Sequence, residues 1–274
     1  MFFLNFVDCC CKFHKNLKRD VGGRNKFYLL PNLFTTASLF AGFYSIVQAM
    51  NGRYDHAAIA IFVALILDGL DGRVARLTNT ESAFGSEYDS LSDMVSFGVA
   101  PALVIYVWAL QPLGKLGWIV SFIYCTCAAV RLARFNVKLD SENKKYFSGL
   151  PSPAAATLLA SFIWISFDNG INGNEIFLGF FQMQWFALII TLFVALSMTA
   201  DVNFYSGKDI NLRSSQPFVV ILLIALIFGL ISHNPAEIIF IISFGYSLSG
   251  YFSLLKAKFE TSKKFLDVDI FDDK

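Results

Sequence analysis

Residues 57–93 read AAIAIFVALILDGLDGRVARLTNTESAFGSEYDSLSD, and this stretch joins an uninterrupted apolar run to a dense group of acidic residues. Its first eleven residues carry no polar side chain, which is the composition of a buried or membrane-embedded helix. Acidic side chains follow at Asp68 and Asp71, and again at Asp89 and Asp93. Ionisable groups are costly inside a membrane span and normally mark a functional site. The stretch therefore predicts both a membrane-embedded fold and the position of a site within it.

The composition of the whole chain supports a membrane protein. Of its 274 residues, 55% are hydrophobic and 16% are charged, and Phe alone occurs 30 times. A soluble domain usually carries about 25% charged residues, so this mixture excludes an ordinary water-soluble surface. Disordered chains are polar and poor in aromatic residues, so the same composition excludes disorder. Nothing in it predicts a nucleic-acid partner.

Eight stretches are predicted to be membrane spans, since a helix needs roughly 20 mostly apolar residues to cross the hydrocarbon core. They are residues 33–50, 56–75, 90–110, 116–134, 152–168, 183–200, 217–232 and 236–255. Several of these stretches are marginal in length, which leaves six or seven spans as an alternative. The predicted fold class is an all-α, polytopic helical membrane protein.

The distribution of positive charge predicts the orientation in the membrane. The eight-span arrangement puts all but two of the 22 Lys and Arg residues on one side, the exceptions being Arg53 and Lys115. Cytoplasmic loops carry the excess of positive charge. We therefore expect a bacterial-type inner-membrane protein whose termini and acidic site are cytoplasmic. Residues 1–31 are predicted to form a basic interfacial segment, residues 32–255 the transmembrane domain with the site, and residues 256–274 a cytoplasmic tail.

The spacing of the aspartates places them on two helix faces. Asp68 and Asp71 are three residues apart, and Asp89 and Asp93 are four apart, so each pair shares one face of a helix. The connection between the helices is short, which predicts antiparallel neighbours whose acidic faces meet. Four converging carboxylates repel one another unless cations lie between them. Oxygen ligands suit Mg2+, Mn2+ or Ca2+, and a pair of such ions suits phosphoryl displacement.

A purely structural alternative is that the acids only form ion pairs with Arg73 and Arg76. Two bases do not balance four acids, which makes this alternative the weaker one. The same arginines are suited to the oxygens of a phosphate group. Gly72 and Gly85 would leave room for a bulky ligand to approach the backbone.

The complete pattern resembles a known enzyme signature. Residues 68–93 follow Asp-x2-Asp-Gly-x2-Ala-Arg-x8-Gly-x3-Asp-x3-Asp, which is the signature of the CDP-alcohol phosphatidyltransferase family. The resemblance implies an all-helical membrane domain with six core helices, commonly a homodimer. The last two predicted spans, 217–232 and 236–255, would be additions to that core.

The resemblance also implies roles for individual residues. Asp68 and Asp89 would bridge two divalent cations, while Asp71 would complete the shell of the first ion and Asp93 that of the second. Asp93 would also be the general base that takes the proton from the incoming alcohol. Residues 31–35 resemble the family's Pro-Asn-x-x-Thr motif, for which a helix start capped by Asn32 is the alternative interpretation. The residues implied for binding the CDP-lipid are Asn32, Thr35, Gly72, Ala75, Arg76, Ser82 and Gly85.

Two further segments concern the acceptor alcohol. Residues 130–136, VRLARFN, and residues 147–156, FSGLPSPAAA, resemble segments of the phosphatidylserine synthases, a membrane-integral branch of this family. That resemblance implies CDP-diacylglycerol and L-serine as substrates, with membrane lipid as the surroundings. The residues implied for the acceptor are Arg131, Arg134, Asn136 and Ser152. The two arginines share a helix face and would suit a carboxylate or a phosphate near the metals, although arginines at the inner end of a span often only anchor it.

Other functions are kept as alternatives. Glycerol 3-phosphate or an inositol compound would be an acceptor for the same chemistry. An intramembrane prenyltransferase also binds a diphosphate through carboxylates, but its Asp-rich motifs lie on separate helices and lack the Gly and Ala-Arg frame. An ion-coupled transporter would carry its acids near the bilayer midplane, whereas these acids are predicted at the cytoplasmic edge.

Overall fold

A computed structural model describes residues 29–78, 80, 82–137, 146–171, 173, 176–177, 181–200, 202–205, 229 and 234–252. Within these ranges the chain is helical apart from two short antiparallel strand pairs. The elements in chain order are α1 (Leu29–Met50), α2 (Tyr54–Thr78), α3 (Ala83–Asp93), α4 (Ala100–Ile105), α5 (Lys115–Val137), β1 (Tyr146–Ser148), α6 (Ser152–Asp168), β2 (Ile176–Phe177), β3 (Phe181–Gln182), α7 (Met183–Thr199), β4 (Asn203–Tyr205) and α8 (235–252).

Three helical segments within the described ranges are long and apolar enough to cross a membrane. They are Pro31–Met50, Ala83–Leu113 and Lys115–Val137, and they contain the predicted spans 33–50, 90–110 and 116–134. The predicted spans 56–75, 152–168, 183–200 and 236–255 coincide with the helices α2, α6, α7 and α8. The predicted span 217–232 lies outside the described residues except for position 229, as do nearly all of segment 1–31 and the whole tail 256–274.

The long segment that contains α3 and α4 is not a regular α-helix. A π-helical turn, Met94–Val99, separates α3 from α4, and a second one, Tyr106–Leu110, follows α4. Pro101 has no N–H to donate into the first turn. The hydroxyl of Tyr124, on α5, donates instead to the carbonyl of Phe97 at 3.1 Å. Turns of this kind are frequent at functional sites, and this one begins directly after an aspartate of the signature.

The helices alternate in direction and so collect the predicted site residues at one end of the bundle. This end holds Asp68 and Asp71 near the carboxyl end of α2 and Asp89 and Asp93 on α3, and we call it the acidic end. The amino-terminal turns of α1 and α6 and the carboxy-terminal turns of α5 and α7 lie at the same end, as the hydrogen bonds between them show.

Helix α1 packs closely against α2 through small and hydroxyl side chains. Ser38 donates its hydroxyl to the carbonyl of Ala64 at 3.0 Å, and Ser45 donates to the carbonyl of Ala57 at 2.7 Å. Both serines are buried, as are both alanines. Small residues let helix backbones approach closely in a membrane, so this seam fixes α2 relative to α1.

The same part of α1 holds the segment that contains α3 through similar hydrogen bonds. Ser92 donates to the carbonyl of Thr35 at 3.1 Å, and Ser96 donates to the carbonyl of Ser38 at 3.1 Å. At Gly42 a Cβ atom would lie 2.6 Å from Oγ of Ser96, so a larger residue would push the helices apart. Within the described ranges α2 and α3 pack sparsely on each other. The two acid-bearing helices are therefore neighbours, as predicted, but α1 is what holds them together.

A short strand pair fixes the start of α6. β1 pairs with β4 in antiparallel register, with Tyr146 opposite Tyr205. The chain then turns at Gly149, whose φ is +85° and whose N–H donates to the carbonyl of Val202 at 2.9 Å. A Cβ at Gly149 would lie 2.3 Å from the carbonyl oxygen of Met198. Only glycine suits this backbone position, and the turn delivers the chain to the first residue of α6.

Candidate active site

Four aspartates lie together at the acidic end. Asp68, Asp71 and Asp89 each offer a carboxylate oxygen, and these atoms all lie within 4.8 Å of one another. The carboxyl groups of Asp68 and Asp93 lie against each other, as do those of Asp71 and Asp89. The helical spacing in the sequence thus brings the two acidic faces to one place.

The described part of the chain places no basic side chain within ion-pair distance of this cluster. Among these residues, no Lys or Arg side chain forms an ion pair with any of the four aspartates. Arg73 is exposed, and Arg76 donates from Nε to the carbonyl of Gly72 at 2.9 Å. Arg73 and Arg76 therefore do not form the ion pairs that the structural alternative requires.

The donor set fits a hard divalent cation. Oδ1 of Asp89 and Oδ1 of Asp93 are both buried and have no hydrogen-bond partner among the described residues. Buried polar atoms are normally satisfied, and unpartnered carboxylate oxygens close to other carboxylates are the ligands that Mg2+, Mn2+ and Ca2+ prefer. The four aspartates could therefore hold divalent metal.

Thr35 orients one of the aspartates. Its hydroxyl donates to Oδ2 of Asp71 at 2.8 Å, and both residues are buried. The neighbouring Thr36 forms a hydroxyl–hydroxyl hydrogen bond of 2.9 Å with Tyr88, one residue before Asp89. Helix α1 therefore contacts both acid-bearing helices at the level of the cluster.

A cavity of about 480 Å³ opens beside the aspartates. All seven residues predicted to bind the CDP-lipid line it, together with two of the aspartates. The lining is Pro31, Asn32, Thr35, Asp71, Gly72, Ala75, Arg76, Thr80, Ser82, Gly85, Ser86 and Asp89. Its volume lies in the range of about 300–1,000 Å³ that is typical of small-molecule sites. A ligand in this cavity would contact the aspartates directly.

The floor of the cavity is built from the start of α3. Ser82 is the amino-terminal cap of α3 and accepts a hydrogen bond from the N–H of Gly85 at 3.0 Å. A Cβ at Gly85 would lie 3.1 Å from Oγ of Ser82 and 3.6 Å from Oδ1 of Asn32. Asn32 itself lies inside α1, which begins at Leu29, so the alternative that Asn32 caps this helix is wrong. Its side chain faces the cavity instead.

Arg131 and Ser152, both predicted for the acceptor, lie together. Nη1 of Arg131 donates to Oγ of Ser152 at 2.7 Å, which joins α5 to the first residue of α6. Nε of Arg131 is buried and has no hydrogen-bond partner among the described residues. Arg131 also interacts electrostatically with Asp93. A donor is therefore available close to the aspartate cluster.

The other two predicted acceptor residues make contacts with neighbouring helices. Nη1 of the exposed Arg134 donates to the carbonyl of Thr199 at 3.0 Å, at the end of α7. Nδ2 of Asn136 donates to Oγ of Ser90 at 3.0 Å, one residue after Asp89. Arg134 and Asn136 thus link α5 to α7 and to α3, and their predicted contact with the acceptor stays a prediction.

Comparison with known proteins identifies the family. The sequence model of the CDP-alcohol phosphatidyltransferase family matches residues 28–196, which are more than half of the chain. The chain belongs to the CDP-alcohol phosphatidyltransferase family. It is therefore a membrane enzyme of phospholipid synthesis, as the signature in residues 68–93 indicated.

Several relatives of this phosphatidyltransferase are named CDP-diacylglycerol–serine O-phosphatidyltransferase, and another is named archaetidylserine synthase. The CDP-diacylglycerol–serine O-phosphatidyltransferase of Helicobacter pylori strain J99 is 38% identical over 209 residues, which cover 74% of this chain and 83% of the relative. The enzyme of that name from Mycobacterium leprae is 31% identical over 223 residues, covering 80% and 72%. An archaetidylserine synthase from Methanothermobacter thermautotrophicus is 38% identical over 148 residues, covering 53% and 62%.

Two contacts in this phosphatidyltransferase were not predicted from its sequence. Thr35 was expected to contact the nucleotide, yet its hydroxyl binds Asp71. Tyr124 is fully buried and binds the carbonyl of Phe97 in the turn after Asp93. Tyr124 lies seven residues before Arg131 and so on the same helix face. That spacing is a signal by which Tyr124 could have been found.

Proposed function

We propose that this protein transfers the phosphatidyl group of CDP-diacylglycerol to the hydroxyl of L-serine, giving phosphatidylserine and CMP. The observation that carries the proposal is the cluster of Asp68, Asp71, Asp89 and Asp93 beside a cavity lined by the residues predicted for the CDP-lipid. The names of the relatives from Helicobacter and Mycobacterium support serine as the acceptor.

Two divalent cations, Mg2+ or Mn2+ with Ca2+ as a third candidate, would be held by the four aspartates. Asp68 and Asp89 would bind both ions, Asp71 the first and Asp93 the second. When bound, the ions would offset the negative charge of the pyrophosphate and of the departing CMP. The two unpartnered oxygens of Asp89 and Asp93 support this assignment.

Asp93 is the proposed general base. It accepts the proton of the acceptor hydroxyl, and the resulting oxygen attacks the lipid-side phosphorus in line. The bond from this phosphorus to the bridging oxygen of the pyrophosphate breaks, and CMP leaves with that oxygen. A carboxylate has two oxygens, so Asp93 could hold the second ion through its unpartnered Oδ1 and accept the proton at Oδ2.

The remaining residues bind and orient the two substrates. Asn32, Thr35, Gly72, Ala75, Arg76, Ser82 and Gly85 would hold the cytidine diphosphate part of the lipid in the cavity. Arg76 lies at the mouth with its guanidinium anchored through Nε to the carbonyl of Gly72, which leaves its Nη groups for phosphate oxygens. Most of the catalysis would come from positioning and from charge neutralisation.

Arg131 is the proposed binding group for the acceptor's carboxylate. Its Nη1 is occupied by Ser152, while its buried Nε is unpartnered among the described residues. Its electrostatic interaction with Asp93 indicates that a bound L-serine would have its hydroxyl near the base. Arg134 and Asn136 would contribute by holding α7 and α3 in place around the acceptor.

The proposed architecture is a six-helix core followed by two added spans. The family match ends at residue 196, in α7, which is the sixth long helical segment of the described chain. Tyr205 pairs with Tyr146 at the acidic end, whereas Asn234 lies at the other end, in a cavity with Asp168. Because Tyr205 and Asn234 lie at opposite ends of the bundle, the chain between them must cross it once. This supports a seventh span at 217–232, with α8 as the eighth. The acidic end and both termini would be cytoplasmic, and the enzyme would be a homodimer.

One assay tests the proposed reaction. The full chain, purified in detergent with Mg2+ or Mn2+, receives CDP-diacylglycerol and one alcohol at a time, and released CMP and the lipid product are measured. We expect CMP and phosphatidylserine with L-serine. Product formation with glycerol 3-phosphate or an inositol compound instead would replace the acceptor but keep the chemistry. No CMP with any alcohol, together with solute uptake in vesicles, would replace the enzyme by a transporter.

A further inference from the structure

Helix α8 reaches the acidic end although it lies beyond the residues that match the family. It begins beside Asp168 at the opposite end of the bundle. Further along, Tyr246 lines an apolar groove of about 410 Å³ together with Pro151 and Pro153, the two prolines that flank Ser152. An added helix therefore runs next to the residue that binds Arg131.

Close packing fixes the position of Tyr246. Its ring lies 5.8 Å from that of the fully buried Phe204 on β4. One turn later, a Cβ at Gly250 would lie 2.5 Å from the same phenyl ring, so the α8 backbone is in direct contact with it. The hydroxyl of Tyr251 forms a 2.7 Å hydrogen bond with that of Ser197. Three successive contacts thus hold this end of α8 against β4 and α7.

Tyr246 and Arg131 interact electrostatically across the junction of α5, α6 and α8. The other groups that act on Arg131 are Asp93 and Tyr124. A guanidinium enclosed in a membrane protein requires polar partners around it. Ser152 accepts a hydrogen bond from Nη1, and the phenol of Tyr246 is a second neutral polar group that acts on the guanidinium.

We propose that Tyr246 is a positioning residue for the acceptor site, which holds the guanidinium of Arg131 in the orientation that receives the acceptor's carboxylate. This inference rests on the proposed function, because it concerns the binding of L-serine. It extends that function by giving the added helix α8 a part in acceptor recognition. The cavity proposed for the CDP-lipid is lined by no described residue of α8.

The test compares two variants of the same helix. Tyr246→Phe removes one hydroxyl next to Arg131, and Tyr251→Phe removes one hydroxyl that is bound to Ser197. For Tyr246→Phe we expect the KM for L-serine to rise about tenfold, because a displaced guanidinium would form a weaker charge-assisted contact with the acceptor's carboxylate. The KM for CDP-diacylglycerol should stay within about twofold, and Tyr251→Phe should leave both values within about twofold.

A double-mutant cycle separates positioning from a general structural effect. If Tyr246 acts through Arg131, Tyr246→Phe should change the serine KM less than about twofold when Arg131→Lys is already present. An unchanged serine KM in Tyr246→Phe, or a full additional loss on the Arg131→Lys background, would overturn the inference.

Thermal unfolding in detergent accompanies each variant. Should Tyr246→Phe not fold, Tyr246→Leu is used with the same expectation, because it also removes the polar hydroxyl. A wild-type protein that releases no CMP with any alcohol refutes the proposed function. An active wild type with an unaltered serine KM in the Tyr246 variants refutes only the role of Tyr246.

Discussion

The hydroxyl of Thr35 donates to Oδ2 of Asp71 at 2.8 Å, which ties the second turn of α1 to an aspartate of α2. Thr35 is 4% exposed and Asp71 5% exposed, so water does not compete freely for this hydrogen bond. Its carbonyl accepts from Ser92 of α3 at 3.1 Å. One residue of α1 is therefore bonded to both helices that carry the aspartates.

Replacing Thr35 by Val should weaken metal binding. The substitution keeps the shape of the side chain but removes the hydroxyl that orients the Asp71 carboxylate. Loss of such an outer partner typically lowers metal affinity about 10- to 100-fold. We expect the concentration of Mg2+ or Mn2+ for half-maximal CMP release to rise about tenfold. Thr36→Val, whose hydroxyl contacts Tyr88, is the matched control; an equal rise there would contradict a specific role of Thr35.

Replacing Asp93 by Asn should abolish turnover and leave binding of the CDP-lipid largely intact. Asn is nearly the same size but cannot accept the proton of the hydroxyl, so we expect a loss of at least about 100-fold in kcat. Single-turnover CMP release and equilibrium binding of a CDP-lipid would be measured on the same preparation. A protein that no longer folds would indicate a structural aspartate, and retained activity would exclude Asp93 as the base.

Removal of divalent metal should stop the reaction reversibly. The four aspartates have no Lys or Arg ion-pair partner among the described residues, which supports the proposal that cations bind there. We expect EDTA to reduce CMP release to background, and added Mg2+ or Mn2+ to restore it. Ca2+ is added separately to test the third candidate. Full activity after exhaustive chelation would contradict the metal assignment.

Arg131 and Arg134 should differ in their effects. Arg131→Ala removes the buried donor beside Ser152, and we expect the KM for L-serine to rise about tenfold or more. Arg134 is exposed and binds the carbonyl of Thr199, so Arg134→Ala should change thermal stability more than the serine KM. The two KM values and melting temperatures are compared directly. Equal rises in KM would return Arg134 to the acceptor site.

Adding a methyl group at Gly85 should disturb the cavity. The new Cβ would lie 3.1 Å from Oγ of Ser82, which is tighter than ordinary contact, and 3.6 Å from Oδ1 of Asn32, which is an ordinary contact. We expect the KM for CDP-diacylglycerol to rise about tenfold, the usual scale of overpacking. Gly69→Ala is the control, because nothing lies within 4 Å of a Cβ there. An unaffected Gly85→Ala enzyme would show that Ser82 and Asn32 are not confined by this glycine.

The sequence alone was enough to predict the aspartate cluster. The spacings of Asp68 to Asp71 and of Asp89 to Asp93 follow the helical repeat, and the repeat fixes which side chains share a face. The residues predicted for the CDP-lipid came from the family resemblance. Gly72, Ala75, Arg76, Ser82 and Gly85 are close in sequence to the aspartates, whereas Asn32 and Thr35 came from a separate motif on α1, and all seven line the cavity.

The contacts made by α1 could not be predicted in this way. Thr35 and Asp71 are 36 residues apart, and Thr35 and Ser92 are 57 apart, so no local periodicity relates them. The π-helical turn Met94–Val99 also escaped prediction, because its cause includes a hydrogen bond from Tyr124 on another helix. The short connection between α2 and α3 predicted that these helices pack directly on each other. In the structure both pack mainly on α1, through contacts that are distant in sequence.

The contacts of α1 with both α2 and α3 have a consequence for how the enzyme folds during synthesis. The ribosome delivers a chain from its amino terminus, and domains assemble in that order. The helix that bears Ser38, Ser45 and Gly42 is thus synthesised before both aspartate helices. Helices α2 and α3 can therefore pack on α1 in the order in which they are synthesised. The four aspartates come together only when α3 has packed.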